Sequence, residues 1–336
     1  MTQLDGFPLP HSASDGIRVA TSNDADDHAA NLTRWKQTYD QLAPGRFQGI
    51  LREFWLGPQM QVFEETTSHA LRQSCLVWKG ASWFGIPVSD GLCGRIGARL
   101  LDRVDIAVRP GGRAFELVTP ASFRILGVVI DTEHLLKYIA EMEHVDLKIS
   151  ALESEVLRPC AKARQHLTNS LAVVFKTGEL YLENQNVQES LREALLSLIA
   201  EACTAGTSPE TPSLTLMGRY RLMHRVRDFV LDHKDEPISI PRLCRTFGVS
   251  RRTLQYAFHE VCGVSPNAYL RVLRLNGVRR ALRTAIPGTQ GVQDLAAEWG
   301  FWNPSQFACD YKKLFGERPS DSLLRSAHIY SFAESR

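Results

Sequence analysis

The residues best suited to chemistry lie in the last third of this 336-residue chain. Arg251, Arg252, Gln255, Tyr256 and His259 follow directly on Gly248-Val249-Ser250. Arginine and glutamine can each form two hydrogen bonds to a base edge, Arg to guanine and Gln to adenine. A second group, Asn303, Ser305, Gln306 and Lys313, follows Gly300-Phe301 in the same way. The chemistry on offer is recognition of a polyanion with readable edges.

The elements that must position these residues are legible as a repeat. Leu243, Phe247 and Gly248 recur as Leu295, Trp299 and Gly300, 52 positions on. Leu254, Phe258, Gly263, Pro266 and Leu270 recur as Phe307, Tyr311, Gly316, Pro319 and Leu323, 53 positions on. Two copies are too few for a solenoid, so paired modules are expected. Each copy reads as helix, glycine turn, helix. In the first, Ile240, Leu243, Cys244 and Phe247 make an apolar face, Gly248 ends the helix, and Ser250 caps the next. In the second, Asn303 caps and Pro304 takes the first helical position. Between the copies, 266 to about 283 reads as a long helix carrying Arg271, Arg274, Arg279, Arg280 and Arg283. Its arginines can meet phosphates or tie the modules together, and its length suits the ~34 Å between successive major grooves.

Charge agrees with this reading. Residues 219–336 hold 19 Lys and Arg against 11 Asp and Glu, a balance of +8. The rest of the chain carries −6, so the net +2 conceals a basic C-terminal third.

Upstream the pattern changes. Residues 1–30 read as a flexible tail. From about 46 to 131, short Val-, Ile-, Phe- and Trp-rich segments separated by Gly, Pro and Asp predict a small antiparallel β-barrel of cupin-like form. Its clearest hairpin is expected at 105–118 across Arg109-Pro110-Gly111-Gly112. From 133 to 203 the period is helical, with Leu191, Leu195, Leu198 and Ile199 on one stripe suited to core packing or to a homodimer. Residues 206–217 read as a linker between a sensing domain (31–205) and an all-α double helix-turn-helix domain (218–330). The fold class expected is therefore α+β.

Other classes are poorly served. The seven cysteines form no C-x-x-C pair, which disfavours a disulfide scaffold and fits reduced thiols in a cytoplasm. No apolar run approaches the ~18 residues of a membrane span, and no secretory signal is expected. Between 47 and 131 the sole histidine is His69, too few for a cupin metal centre. The first 74 residues lack cysteine, which removes a repair methyltransferase carrying a four-cysteine zinc cluster.

The stretches GVSRRTLQYAFHEVCGVSPNAYLRVLRLNGVRRAL and LAAEWGFWNPSQFACDYKKLFGERPS resemble the AraC/XylS family of bacterial transcription regulators. The resemblance covers about residues 225–325. It implies seven helices, two helix-turn-helix units, binding to double-stranded promoter DNA, partnership with RNA polymerase and activation of transcription. Cys309 and Tyr311 depart from the family pattern, where a basic residue and Phe are usual. HALRQSCLVW (69–78), WFGIP (83–87), RPGG (109–112), ILGVV (125–129), SRRTLQ (250–255) and WGFW (299–302) are similar to regulators of ethanolamine-utilisation operons. That narrower likeness implies an N-terminal domain sensing ethanolamine, with adenosylcobalamin.

An amine sensor needs aromatic faces or carboxylates in a sheltered cavity. Trp55, Trp78, Trp83, Phe84 and Glu64 are the candidates, with Phe63, Glu65 and Glu116 in reserve. Trp78 and Trp83 flank Gly80 and are the first choice for a cavity mouth. Two alternatives stay open: the same DNA domain with an unrelated effector, and a ligand-free architectural DNA binder.

Overall fold

The computed structural model describes residues 16–89, 94–177, 184–205, 213–286 and 289–325. It comprises two compact units. The N-terminal one holds residues 1–39 and 48–211; the C-terminal one holds Asp40–Phe47 and 212–336.

The N-terminal unit contains two antiparallel sheets. The seven-stranded sheet runs β1 (Arg18–Ser22), β3 (Gly49–Trp55), β4 (Met60–Thr67), β11 (Phe123–Asp131), β6 (Ala81–Pro87), β9 (Ile106–Pro110), β12 (Val156–Leu157). The five-stranded sheet runs β2 (Trp35–Gln41), β5 (Leu71–Val77), β10 (Phe115–Thr119), β7 (Arg95–Ile96), β8 (Arg99–Leu100). Neither order closes on itself among the described residues, so the expected barrel is replaced by two open sheets. The expected 105–118 hairpin also fails. β9 pairs with β6 and β12, whereas β10 pairs with β5 and β7 in the other sheet. Local alternation marked both strands correctly but cannot choose a pairing partner.

The central strands β6 and β11 read as nearly continuous apolar sequence because both faces of the large sheet are covered there. Met60, Val62, Phe84, Leu126, Val128 and Ile130 share a core with Leu135 and Ile139 of α2 (Thr132–Met142), Leu167 and Leu171 of α3 (Ala161–Thr177) and Leu195 and Ile199 of α4 (Gln185–Ala205). The opposite face meets the small sheet through aromatic contacts. Trp35 of β2 packs edge-on to Phe63 and Trp83, and Trp83 stacks on Phe115 at 5.0 Å. The expected flexible tail is corrected for residues 16–30, residues 1–15 lying outside the described residues. β1 pairs with β3, and α1 (Ala25–Ala29) is capped by Asp24 with His28 buried.

The C-terminal unit is helical. Residues 206–212 of the expected linker lie outside the described residues. The remainder is no linker, because Ser213 caps α5 (Leu214–Asp232). Then come α6 (Ile240–Phe247), α7 (Arg251–Cys262), α8 (Pro266–Thr284), α9 (Val292–Ala297), α10 (Pro304–Phe315) and a helical run over 319–325. Two cores share α8. Leu270 and Leu273 pack with Met223, Val226, Leu243, Leu254 and Phe258. Leu275, Val278 and Leu282 pack with Leu295, Phe307, Tyr311 and Leu314. The one long helix thus braces both helix-turn-helix modules.

Candidate nucleic-acid interface

The two modules turn by the same backbone bond. In the first, the Val249 N–H donates to the Cys244 carbonyl at 3.1 Å; in the second, Phe301 N–H donates to the Ala296 carbonyl at 3.0 Å. The bond closes over a left-handed residue, Gly248 (φ 64) and Gly300 (φ 76), a conformation that costs a side-chain-bearing residue ~1 kcal/mol or more. Each following helix is capped by the expected side chain. Ser250 Oγ accepts from the Thr253 N–H at 3.0 Å, and Asn303 Oδ1 accepts from the Gln306 N–H at 3.1 Å.

On α7, Leu254, Ala257, Phe258 and Val261 are buried, and Arg251, Arg252, Gln255, Tyr256 and His259 are all exposed. The five predicted residues therefore share solvent-facing surface. Arg252 Nη2 donates to the Tyr256 hydroxyl at 2.8 Å and its guanidinium lies 5.2 Å from that ring's centre. Arg219 of α5 also approaches the ring at 5.6 Å and pairs with Glu260. Stacking and pairing hold Arg252 out along the helix before any ligand arrives, which lowers the ordering cost of binding.

The second helix is built differently. Ser305, Gln306, Cys309 and Lys313 are exposed, as is Lys312. Gln306 Nε2 donates to Asp310 Oδ1 at 3.1 Å, and Asp310 pairs with Arg271 of α8. Asn303 spends its carbonyl oxygen on the cap. Trp302, 67% exposed, stands at the entry to α10 and was missed in the sequence. The available signal was Phe301: it already supplies the apolar plug of the turn, which leaves its neighbour outside.

The arginines of α8 are sorted by their partners. Arg271 pairs with Asp310. Arg274 Nη2 donates to the Glu236 carbonyl at 2.7 Å, and burial lowers its pKa. Arg279 is buried, 2.9 Å from Glu317 Oε1 and 4.4 Å from the centre of the Phe315 ring. Arg280 pairs with Asp40. These four positive charges knit the C-terminal unit together.

The predicted effector residues do not converge. Trp55 and Trp78 meet at 5.5 Å between ring centres, and the guanidinium of Arg34 lies 5.5 and 4.5 Å from them. Trp83, 1% exposed, points instead between the sheets. Phe84 points the opposite way into the sheet–helix core, as neighbours on a strand must. Glu64 is taken by Arg124 at 2.6 Å and by Arg52. The expected Trp78–Trp83 cavity mouth is therefore corrected. Glu116 pairs with Arg72.

A buried polar cluster was not foreseen. Glu65 accepts from the Tyr39 hydroxyl at 2.9 Å and lies 3.1 Å from His28 Nε2. Burial, then Glu65, drives the Tyr39 pKa far up. Glu53 accepts from Gln61 Nε2 at 2.6 Å and from Arg18 and Thr33. His28 and Arg18 come from the segment expected to be a tail, so no local signal linked them to the sheets. Among the described residues no group of three or more His, Cys, Asp or Glu could hold a metal ion, and no helix is long and apolar enough to cross a membrane.

Residues 243–325 match the family model described as a helix-turn-helix domain. The chain is 35% identical over 96 residues to the probable thc operon regulatory protein of Rhodococcus erythropolis, covering 29% of each chain. It is 29% identical over 157 residues to XylDLEGF operon transcriptional activator 3 of Pseudomonas putida, covering 47% of this chain and 46% of that one. A solved probable AraC family transcriptional regulator from Rhodopseudomonas palustris CGA009 is 33% identical, with 32% of this chain and 97% of that one covered and a TM-score of 0.29. The matches to these two curated relatives span less than half of their length.

Proposed function

We propose that this chain, whose C-terminal region is a DNA-binding domain of the AraC/XylS family of transcription regulators, is an activator that reads two successive major grooves of promoter DNA. The observation that carries the reading is the duplicated turn: two helices presented by the same backbone bond and capped at the same place, braced on one shared helix. A helix entering the major groove by its N-terminal end brings Arg251, Arg252 and Gln255 to base edges, with Tyr256 and His259 alongside. Asn303, Ser305, Gln306 and Lys313 form the second contact. That helix leans on the phosphates more than on bases, because Gln306 is engaged by Asp310. RNA polymerase is the partner that activation requires.

The N-terminal unit is read as the sensor of a small molecule. An amine such as ethanolamine, with or without adenosylcobalamin, is supported by the resemblance and by one chemical fact: Trp55 and Trp78 already hold a cation, the guanidinium of Arg34.

The experiment is a binding titration of the full chain on operator duplex and on random duplex at several salt concentrations. Preference for the operator, with affinity falling steeply as salt rises, is the expected result; equal binding to both duplexes rejects sequence-specific regulation. Ethanolamine, alone and with adenosylcobalamin, is then tested for a rise in melting temperature and a change in promoter output. No effect on either removes the amine reading and leaves the DNA reading standing.

A further inference from the structure

The chain passes through the C-terminal unit twice. Before the long stretch from 212 onward, the short segment Asp40–Phe47 already belongs to it. Asp40 and Gln41 are the last residues of β2, the strand at one edge of the small sheet, and Gln48 returns the chain to the N-terminal unit.

This strap is held by specific, buried bonds. Asn276, in the middle of α8 and 2% exposed, accepts from the Gln41 N–H at 3.0 Å and donates to the Gln41 carbonyl at 3.1 Å. The Gln41 side chain donates to the Leu314 carbonyl at 2.8 Å and to the Gly45 carbonyl at 2.7 Å. The Gly45 N–H donates to the same Leu314 carbonyl at 3.0 Å. Asp40 pairs with Arg280, and Phe47 is buried. Leu314 lies in the last turn of α10, where carbonyls lack partners within the helix. A polar residue buried in a helix interior is costly unless its bonds are met; here two of the three bonds of Asn276 go to Gln41 of the strap and the third to the Val272 carbonyl of its own helix.

We infer that residues 40–47 are a positioning strap, delivered by β2, that ties α8 to the C-terminal end of α10 and so sets the orientation in which the second recognition helix meets DNA. The inference rests on the DNA-binding reading above. β2 also carries Trp35 and Tyr39, which pack within the N-terminal unit, and runs directly into the strap. Two of the groups that hold the strap, Asn276 and Arg280, lie one turn apart on α8.

The test uses the full chain on an operator selected with it from a randomised duplex library. Hydroxyl-radical footprinting resolves two half-sites, that of α10 being the one weakened by Lys313→Ala. Gln41→Ala is expected to weaken the α10 half-site at least tenfold while the α7 half-site changes less than twofold. A merely structural role would weaken both alike, and that result overturns the inference, as does a wild-type footprint of one half-site only. In the unaltered protein, linkage requires operator DNA to slow hydrogen exchange at the Gln41 and Gly45 amides; unchanged exchange there overturns it too. A chain that protects no DNA at all sinks the DNA-binding reading and the strap together.

Discussion

Arg252 donates from Nη2 to the Tyr256 hydroxyl at 2.8 Å, one turn further along α7, and lays its guanidinium 5.2 Å from the centre of the same ring. A flexible cation is thereby held in one place on the exposed face of a recognition helix. The pair separates what the arginine contributes to DNA from what its positioning contributes.

Arg252→Ala is expected to cost about 1–3 kcal/mol on the operator and to relax the preference at one base pair. Tyr256→Phe keeps the stacking surface and loses the hydroxyl acceptor, so it should cost less than Arg252→Ala at the same position. Competition assays with single-base operator variants read both. Equal losses on operator and random duplex for Arg252→Ala and Gln255→Ala would assign these residues to phosphates alone.

Asp310 places a carboxylate on the second recognition helix, paired with Arg271. Asp310→Asn removes a negative charge facing the polyanion and leaves Arg271 uncompensated. Overall DNA affinity should rise at low salt, and the slope of log affinity against log salt should steepen by about 1. A variant with an unaltered slope would place Arg271 and Asp310 away from the DNA.

The hydroxyl of Tyr311 is buried, and burial, opposed in part by Arg279, pushes its pKa up to about 12. The unfolded chain ionises this phenol near 10, so its contribution to stability is fully present below pH 10. That contribution is lost as pH rises from 10 through about 12, amounting to roughly 2–3 kcal/mol. Denaturant unfolding across that range should show the decline. Tyr311→Phe should be flatter with pH, and a variant as steep as the parent would assign the decline to other groups.

Gly277 lies inside α8, where alanine would ordinarily gain about 1 kcal/mol. At this position a Cβ would come well inside van der Waals contact with the Trp299 ring. Gly277→Ala is therefore expected to be net destabilising by up to about 2 kcal/mol, the overpacking cost of about 1–3 less the helix gain of about 1. A rise in the melting temperature would show that Trp299 moves aside freely.

The sequence by itself determined the C-terminal modules: their turns, their caps, the buried Leu254, Phe258, Phe307 and Tyr311, and the exposed row from Arg251 to His259. These features depend on contacts within about four residues along a helix, and they occur twice, so the two copies corroborate each other. The tertiary structure decided the rest. It parted the predicted 105–118 hairpin between two sheets and decided what covers each face of β6, the helices over Phe84 and the small sheet over Trp83. It drew His28 and Arg18 out of an apparent tail onto the buried carboxylates Glu65 and Glu53. It also assigned four arginines of α8 to protein partners, one of them Asp40, which lies 240 residues earlier. Periodicity shows which way a residue faces within its own element. It carries no information about which element lies opposite, because that choice is made by burial and pairing between segments far apart in the chain.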